Sequence, residues 1–492
     1  MNFMRSCGIL MPISSLPSKF GIGTLGEEAY SFVDFLKNAG QKYWQILPIG
    51  PTSYGDSPYQ SFSTFAGNPY FIDPDILMKN GHLDKNDIAD IDFGSEGDID
   101  YALLYSERKK LFSKVQKHFV KKVPKNFEDF CKKNAYWLDK YALFMAIKDS
   151  RSGQAFTDWP VELVQGSAAA VDEQKEKLKN EIFGYKMLQY IFFEQWFALK
   201  KYANDNGIKI IGDLPIYVAA DSADVWGEPE QFLLDTDKKP TVVAGCPPDA
   251  FCEDGQLWGN PVYDWEYMKE DGYSWWLRRL SFSLGICDVI RIDHFRGFEG
   301  YYCVPFGAEN AMDGEWRKGP SLEFWNCVKE KLNEVNVIAE DLGYLTDDVR
   351  NLVKNSGFAG MKVLQFAFDS GIDNEYLPHN HKENNVVYVG THDNDTLLGF
   401  CQNAKEHEIC FAMEYLSSKK DELPDAIIKA ALESPAVLCI LTMQDIIGLG
   451  SEARINTPST LGGNWTWRAK SHQITPLLAK KLYNITKEAK RT

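Results

Sequence analysis

The sequence predicts a (β/α)8 TIM barrel, an α/β fold, with subdomains inserted in the loops that follow its strands. Two observations lead to this prediction. Eight short apolar runs alternate with helical patterns along the chain, and no stretch indicates a competing all-β region. Several runs also end in an acidic residue, as expected where functional groups gather at the carboxyl ends of barrel strands. We expect no separate C-terminal β-domain.

The predicted strands are short runs rich in aliphatic residues, bounded by Gly, Pro or Asn. In order, they lie at 8–13, 43–47, 208–215, the first residues of 289–297, 337–341, 361–366, 386–390 and 436–443. Between them, apolar residues recur at helical spacing. The predicted helices cover 26–38, 101–122, 126–150, 181–204, 275–283, 324–333 and 347–355, with two or three more within 397–432. Consecutive parallel strands joined by helices are the repeating unit of a barrel.

Two long segments interrupt the alternation. Residues 50–180 predict a mostly helical subdomain inserted between the second and third strands, and residues 216–270 predict a loop-rich insertion between the third and fourth. We expect 1–492 to form one barrel unit. The main rival is a doubly wound open sheet, but the glycine spacing at 21, 23 and 26 is separated from the first strand by a long Pro/Ser loop, so that fingerprint is weak.

Charge and cysteine content restrict the partners and the cellular compartment that we expect for the protein. Lysine and arginine number 53 against 69 aspartates and glutamates, a formal net charge of −16, which argues against nucleic acid or an anionic membrane as a partner. The ten cysteines form no Cys-x-x-Cys motif and suit a reducing compartment. No signal-peptide hydrophobic region and no membrane-length apolar run is evident. We expect a soluble, cytoplasmic protein.

The stretch 289–297 carries the strongest functional signal. Its first residues alternate as a strand does, so Ile290 and Ile292 share one face while Arg291 and Asp293 share the other. Lone charges on a strand are usually solvated. Here other predicted strands also end in carboxylates, and the candidate set is Asp213, Asp293, Glu340 or Asp341, and Asp393. A single such aspartate is often a helix N-cap, whereas several at corresponding strand ends favour a site.

Two chemistries suit a cluster of carboxylates at a barrel mouth. Divalent metal binding would combine them with histidine, and glycoside chemistry would use one as nucleophile and one as acid/base without metal. The first strand lacks His-x-His, and the His379-Asn-His381 spacing falls in a polar loop. Aromatic residues make up 13% of the chain, and several occur in Gly/Pro/Asn-rich loops, where they can stack on sugar rings. Sugar chemistry is therefore favoured.

Long motifs resemble one family. The chain contains the motifs Arg-Ile-Asp-His-Phe-Arg-Gly at 291–297, Ala-Glu-Asp-Leu-Gly at 339–343 and Gly-Thr-His-Asp-Asn-Asp-Thr at 390–396, together with the segments 51–60, 213–219, 245–261 and 462–465. These motifs closely resemble those of the amylomaltases, which are 4-α-glucanotransferases (disproportionating enzymes) of the α-amylase clan. The resemblance runs in order through nearly the whole chain. It implies a transferase that moves α-1,4-glucan segments to the 4-hydroxyl of glucose or a malto-oligosaccharide, in maltose, glycogen or starch metabolism.

The same resemblance implies roles for individual residues. Asp293 is expected to be the nucleophile, Glu340 the acid/base and Asp393 the stabiliser of the transition state. Asp293 should stay ionised beside Arg291, Glu340 should have a raised pKa, and their carboxyls should lie about 5–5.5 Å apart for a retaining reaction. The expected substrate contacts are Tyr59, Asp213, Asp249, Phe251, Trp258, Arg291, His294, His392 and Asn464, with 216–270 shaping the acceptor site.

Neither a cofactor nor a metal is expected, and the expected partners are α-1,4-glucans and malto-oligosaccharides. Three alternatives stay open. An α-1,4-glucan hydrolase would use the same carboxylates, with water as the acceptor. A silent carbohydrate-binding scaffold would keep the aromatic loops, although the intact set of three carboxylates argues against it. A metal-dependent isomerase is a distant third, and a chelator would test it.

Overall fold

The computed structural model describes residues 4–248, 253–343, 345–460 and 462–492. Its twelve described strands include short segments beyond the eight that were predicted. In chain order they are β1 (Ser6–Leu10), β2 (Tyr43–Gln45), β3 (Lys209–Leu214), β4 (Val242–Cys246), β5 (Gln256–Pro261), β6 (Val289–Ile292), β7 (Gly300–Pro305), β8 (Glu315–Lys318), β9 (Val337–Ala339), β10 (Ala359–Val363), β11 (Asn385–Tyr388) and β12 (Leu438–Thr442).

Eight of these strands close into a barrel. Its neighbours follow the order β1, β2, β3, β6, β9, β10, β11 and β12, and β12 pairs with β1 again. Every pair in the ring is parallel. The predicted (β/α)8 barrel is therefore confirmed. Consecutive parallel strands require crossovers, and the helices between them supply these connections.

Eighteen α-helices occur among the described residues, and most of them cover the barrel or the insertion that follows β2. They are α1 (Glu27–Asn38), α2 (Pro74–Lys79), α3 (Tyr101–Phe119), α4 (Phe127–Lys133), α5 (Ala135–Ser150), α6 (Val161–Val164), α7 (Ala168–Lys177), α8 (Lys179–Asp205), α9 (Ala223–Gly227), α10 (Trp265–Glu270), α11 (Ser274–Ile286), α12 (Ser321–Lys331), α13 (Asp347–Ser356), α14 (Leu397–Asn403), α15 (Glu406–Leu416), α16 (Leu423–Glu433), α17 (Met443–Ile447) and α18 (Pro476–Glu488).

The barrel strands are shorter than predicted at their carboxyl ends. The first ends at Leu10 and not at residue 13, and the sixth ends at Val363, where a 3-10 turn covers 364–366. Several apolar residues past the last ladder hydrogen bonds, such as Met11, Ile13 and Leu364, are buried without belonging to a strand. Hydrophobicity reports burial and not backbone pairing, so the pattern alone extends each strand too far.

A second sheet was not predicted from the sequence. Strands β5, β4, β7 and β8 form a four-stranded antiparallel sheet in that order. Two of its strands lie in the segment 216–270 that was predicted to be loop-rich. Strand β5 reads Gln-Leu-Trp-Gly-Asn-Pro and β8 is largely exposed, so neither shows the alternation of apolar and polar residues that identifies a half-buried strand.

The segment between β2 and β3 holds helices α2 to α8. Buried glutamines of α8 tie the loop after β2 to this helix, because Gln189 exchanges two 2.8 Å hydrogen bonds with the backbone of Gly67 and Gln195 accepts a 2.8 Å bond from the backbone N–H of Asp73. The loop that carries Tyr59 is therefore anchored on a long helix. The division of the chain into one barrel with insertions at 50–180 and 216–270 stays a prediction.

Close strand packing in the barrel interior depends on Gly8 of β1. A Cβ atom at this position would lie 2.6 Å from the Cβ of Tyr43 and 2.7 Å from its carbonyl oxygen, so a larger residue would force the two strands apart. Elsewhere in the interior the Tyr388 hydroxyl donates a 2.8 Å hydrogen bond to the side chain of Gln45. None of the helices in the described ranges is both long enough and apolar enough to cross a bilayer.

Candidate active site

The candidate site is built around Arg291 of β6. Its side chain is only 4% exposed, and its Nη1 donates 2.7 Å hydrogen bonds to both carboxylate oxygens of Asp213. Its Nη2 donates to Asp293 Oδ1 at 3.0 Å. Asp213 and Arg291 are register partners in β3 and β6, so the sheet itself sets their contact. One guanidinium therefore orients two carboxylates from adjacent strands.

Asp213 lies beneath the mouth of the barrel. Its carboxylate is fully buried, and besides Arg291 it accepts a 2.8 Å hydrogen bond from the hydroxyl of Tyr59. Asp213 and Arg291 were both predicted to contact substrate. In the structure the two charges pair with each other, while Asp213 also contacts Tyr59 and Arg291 also contacts Asp293.

Asp293 and Glu340 follow adjacent strands, β6 and β9. The backbone of Glu340 donates to the Ile292 carbonyl at 3.1 Å, and its own carbonyl accepts from the Phe295 N–H at 3.1 Å. Its carboxylate accepts hydrogen bonds from the backbone N–H of His294 at 2.6 Å and of Leu342 at 2.9 Å. Glu340 is therefore held against the residue that directly follows Asp293, and the two acidic groups share one corner of the mouth.

The pKa values of both carboxyls are raised. Burial raises the pKa of Asp293 to about 6, although Arg291 opposes the shift, and 30% of the Asp293 side chain remains exposed. Burial raises the pKa of Glu340 further, to about 7, with Arg291 and two backbone N–H groups opposing the shift and the charge of Asp293 adding to it. Burial thus outweighs the arginine at both groups, and the charge of Asp293 is a further cause that raises the pKa of Glu340.

The structure separates Glu340 from the adjacent Asp341. The carboxylate of Asp341 accepts a 2.6 Å hydrogen bond from the backbone N–H of Met361 in β10, and Gly360 leaves room for it where a Cβ would come within 2.5 Å. Burial raises the pKa of Asp341 to about 6, and the neighbouring Lys362 opposes the shift. Asp341 is therefore held by β10, while Glu340 is turned towards Asp293.

Asp393 follows β11, and 41% of its side chain is exposed, against 30% for Asp293 and none for Asp213. Its Oδ2 lies 3.3 Å from His392 Nε2, and its Oδ1 accepts a 2.6 Å hydrogen bond from the side-chain amide of Asn456. Arg454 donates to the Asp393 carbonyl at 2.6 Å. Arg454 and Asn456 were not predicted as site residues; the signal for them was their place just beyond the eighth strand, where barrel loops meet the mouth.

Aromatic rings form one wall of the site. The rings of Tyr59 and His392 stack at 5.0 Å with an angle of 18°, and His392 Nδ1 lies 3.4 Å from the Tyr59 hydroxyl. The ring of Trp465 is tilted relative to both, and its centroid lies 5.8 Å from that of Tyr59 and 5.9 Å from that of His392. Trp465 has φ 65°, a left-handed backbone unusual for a bulky residue. It belongs to the segment 462–465, which resembles the amylomaltases, but it was not predicted as a site residue.

His294 and Trp258 form a second aromatic pair. Their rings are perpendicular at 4.7 Å, and His294 adopts a left-handed φ of 49° directly after Asp293. Burial lowers the pKa of His294 to about 3, with the charge of Arg296 adding to the shift, so its imidazole is neutral. Its Nε2 is buried and has no hydrogen-bond partner within the described residues. A neutral imidazole suits a hydrogen bond to a hydroxyl better than an ionic role.

Of the three remaining predicted substrate contacts, the structure describes only Asn464. Asn464 uses its amide within its own loop, where Oδ1 accepts from the Thr457 N–H at 3.0 Å and Nδ2 donates to Thr460. It thus shapes the loop that presents Trp465. Asp249 and Phe251 lie outside the described residues.

Metal-like ligand geometry occurs elsewhere. Among the described residues, the one group of three His, Cys, Asp or Glu side chains with ligand atoms close enough for a metal is Asp84, Asp87 and His118. There the two aspartates form a capping box, and Asp87 also pairs with His118 at 2.9 Å, so each group already has a structural partner. The carboxylates at the mouth are instead bonded to arginine, amide and backbone donors. This arrangement suits acid/base and nucleophilic work.

Comparisons with known proteins agree with this geometry. A family model described as 4-alpha-glucanotransferase matches residues 11–474. The chain is 49% identical over 481 residues to a 4-alpha-glucanotransferase of Clostridium butyricum, covering 97% of this chain and 99% of the relative, and 44% identical over 488 residues to that of Thermus thermophilus, covering 97% of each. The amylomaltase from Streptococcus agalactiae in complex with acarbose superposes with a TM-score of 0.97, at 41% identity over 99% of each chain.

A second amylomaltase structure, from Corynebacterium glutamicum, shares the fold with a TM-score of 0.80 at 19% identity, covering 99% of this chain and 75% of that one. The family match spans most of the chain, and the Clostridium butyricum and Thermus thermophilus relatives match it over nearly their whole length. The chain therefore belongs to the 4-alpha-glucanotransferase family, and its activity is glycosyl transfer on α-1,4-glucans.

Proposed function

We propose that the chain performs this transfer by a retaining double displacement in which Asp293 is the nucleophile, Glu340 the general acid/base and Asp393 a stabiliser of the transition state. One observation carries the proposal. Two acidic groups on neighbouring strand ends share a corner of the mouth, and their surroundings differ: Arg291 binds Asp293, whereas the charge of Asp293 adds to the burial that raises the pKa of Glu340. A pair whose pKa values are pushed apart by their surroundings supplies one ionised and one protonated carboxyl at the same pH.

In the first step, an oxygen of Asp293 forms a bond with the anomeric carbon of the donor glucan. The glycosidic C–O bond breaks, its electron pair stays on the departing oxygen, and Glu340 gives that oxygen its proton. Asp293 Oδ1 is held by Arg291, which leaves Oδ2 for the attack. The carboxylate of Asp393 faces the positive charge that develops on the sugar.

In the second step, the 4-hydroxyl of an acceptor glucan attacks the same anomeric carbon. Glu340 is now ionised and removes the hydroxyl proton, while the bond to Asp293 breaks and returns its electron pair to the carboxylate. Two inversions give net retention of the α configuration. The backbone N–H groups of His294 and Leu342 hold Glu340 in place through both steps.

Sugar rings are bound by the aromatic wall. We assign donor binding to Tyr59, His392 and Trp465, whose rings contact one another next to Asp393. A similar protein, the Streptococcus agalactiae amylomaltase, was solved with acarbose, which supports oligosaccharide binding in this barrel. We assign acceptor binding to Trp258 and His294 together with Asp249 and Phe251 of the segment 216–270, as predicted from the sequence. Asp213 and Arg291 act by orienting Tyr59 and Asp293.

We also propose that the chain works in the cytoplasm as one barrel unit, with insertions at 50–180 and 216–270, and without a metal or cofactor. The scattered cysteines and the net charge of −16 support this setting.

Incubation with maltotriose tests the proposed mechanism. We expect glucose together with a ladder of longer glucans, because the acceptor sugar competes with water for the glycosyl-enzyme. Proton NMR at early times should show that every new linkage has the α configuration. Glucose and maltose without longer products would indicate hydrolysis, and a first-formed β linkage would contradict a covalent intermediate.

The pH dependence follows from the two raised pKa values. The reaction begins with Asp293 ionised and Glu340 protonated. The value of kcat/KM should therefore decrease as the pH falls below the Asp293 pKa of about 6 and as it rises above the Glu340 pKa of about 7. A bell-shaped profile with its maximum between these limits is expected from initial rates on maltotriose. Because the groups interact, the two limbs report the pair and not single residues. A profile without either limb would be inconsistent with this pair.

A further inference from the structure

The segment 454–456, which lies beyond β12, contacts the turn that carries Asp393. The backbone N–H of Asn456 donates to the His392 carbonyl at 3.1 Å, and the Asn456 side-chain amide donates to Asp393 Oδ1 at 2.6 Å. Arg454 donates through Nη2 to the Asp393 carbonyl at 2.6 Å and through Nε to the Asn456 carbonyl at 2.8 Å. The dipeptide 392–393 is therefore held from one side by main-chain and side-chain donors of a single short segment.

We infer that Asn456 is a positioning residue for the transfer reaction: its amide fixes the Asp393 carboxylate in the orientation that meets substrate. The inference rests on the proposed role of Asp393. The turn does not depend on this bond for its shape, because it is already closed by Thr391, Asn394 and Arg454 through other contacts.

An exposed carboxylate has rotational freedom that its surroundings must restrict. Asp393 is 41% exposed, and an aspartate in that setting rotates about its side-chain bonds unless donors hold it. Asn456 binds Oδ1, while Oδ2 faces His392 Nε2 at 3.3 Å. The two contacts therefore define both the position and the plane of the carboxylate. A charge placed in advance stabilises a transition state without reorganisation during the reaction.

An asparagine suits this position because it is a neutral donor. Its amide N–H donates to a carboxylate while adding no charge beside Asp393, whereas an aspartate at 456 would repel Asp393 unless the pair shared a proton. A lysine or arginine would neutralise Asp393 and weaken its effect on the developing positive charge of the sugar. The neutral donor fixes the carboxylate and leaves its charge available.

The test compares Asn456→Ala and Asn456→Asp with the wild type, using initial rates on maltotriose across pH. For Asn456→Ala we expect kcat to fall about ten- to a hundred-fold, as for the loss of a hydrogen bond to a charged group or a misplaced catalytic group, while KM stays within about three-fold. Circular dichroism should show an unchanged fold, since Arg454 still holds the backbone of the turn.

The pH dependence of Asn456→Asp activity tests the positioning role, because a purely structural role would not change it. At low pH one proton shared between the introduced carboxyl and Asp393 restores an O–H···O bond, and at high pH the two charges repel. The ratio of Asn456→Asp activity to Asn456→Ala activity should therefore rise as the pH falls. Asn403→Ala is the matched control, because its amide donates to Ser451 on the outer part of the same loop, and we expect wild-type rates.

Asp393→Asn, measured in parallel, distinguishes failure of the proposed function from failure of the positioning role. Wild-type kcat in Asp393→Asn would overturn the proposed role of Asp393 and the inference with it. A large loss in Asp393→Asn, combined with wild-type kcat and pH profile in both Asn456 variants, would overturn only the positioning role of Asn456. The same would follow if the ratio of the two Asn456 variants did not change with pH.

Discussion

Asp293→Asn is expected to lower kcat on maltotriose on the order of 10⁴-fold or more, because an amide oxygen is a poor nucleophile towards the anomeric carbon and the double displacement cannot begin. The change is nearly isosteric, and the amide oxygen can still accept from Arg291, so the fold should persist. Binding should persist as well, and KM or the dissociation constant for maltotriose should change little.

The measurement is the initial rate of glucose release, together with titration of the variant with maltotriose by calorimetry. A surface carboxylate gives the control: Asp425→Asn removes a group whose side chain is 78% exposed and whose ion pair with Lys481 spans 3.5 Å. Exposed pairs of this kind contribute little, so wild-type turnover is expected there. Undiminished turnover in Asp293→Asn would place the nucleophile elsewhere.

Glu340→Gln is expected to lower turnover of maltotriose by about 10²- to 10⁴-fold, because a positioned acid/base contributes this much. An α-maltosyl fluoride donor separates the acid role of Glu340 from its base role, because fluoride leaves without needing a proton. The first step should then proceed in the variant while the second, which needs a base, is slow. A glycosyl-enzyme should therefore accumulate.

Mass spectrometry of the intact variant should show the added maltosyl mass, and peptide mapping should place it on Asp293. The control Glu433→Gln removes a surface carboxylate that is 60% exposed, and it should turn over donor without any trapped species. The assignment would be refuted by a label on another residue, or by Glu340→Gln processing maltotriose at the wild-type rate.

Much of the site could be predicted from the chain because each catalytic candidate lies at a strand end. Alternating residues of one strand place Arg291 and Asp293 on the same face, and the parallel arrangement brings the other strand ends to the same side. The structure confirms the barrel that makes this reasoning valid. The roles of Asp293, Glu340 and Asp393 remain predictions, and the three variants of these residues test them.

The antiparallel sheet shows where sequence patterns fail. Strands β4, β5, β7 and β8 are short, and β5 and β7 contain both glycine and proline. The central pair, β4 with β7, joins segments that lie far apart in the chain, so the sheet depends on tertiary contact as well as on local preference. Backbone pairing of this kind leaves little trace in the order of apolar residues.

The sequence by itself determined the barrel, the strand ends that carry the acids, and the resemblance to the family, because these depend on local periodicity and contiguous motifs. Only the tertiary structure decided which group each acid contacts. Asn456 reaches Asp393 across 63 residues, and Tyr59 reaches Asp213 across 154. Burial likewise raises the pKa values of Asp293 and Glu340, since desolvation depends on everything packed around a side chain and not on its neighbours in the chain.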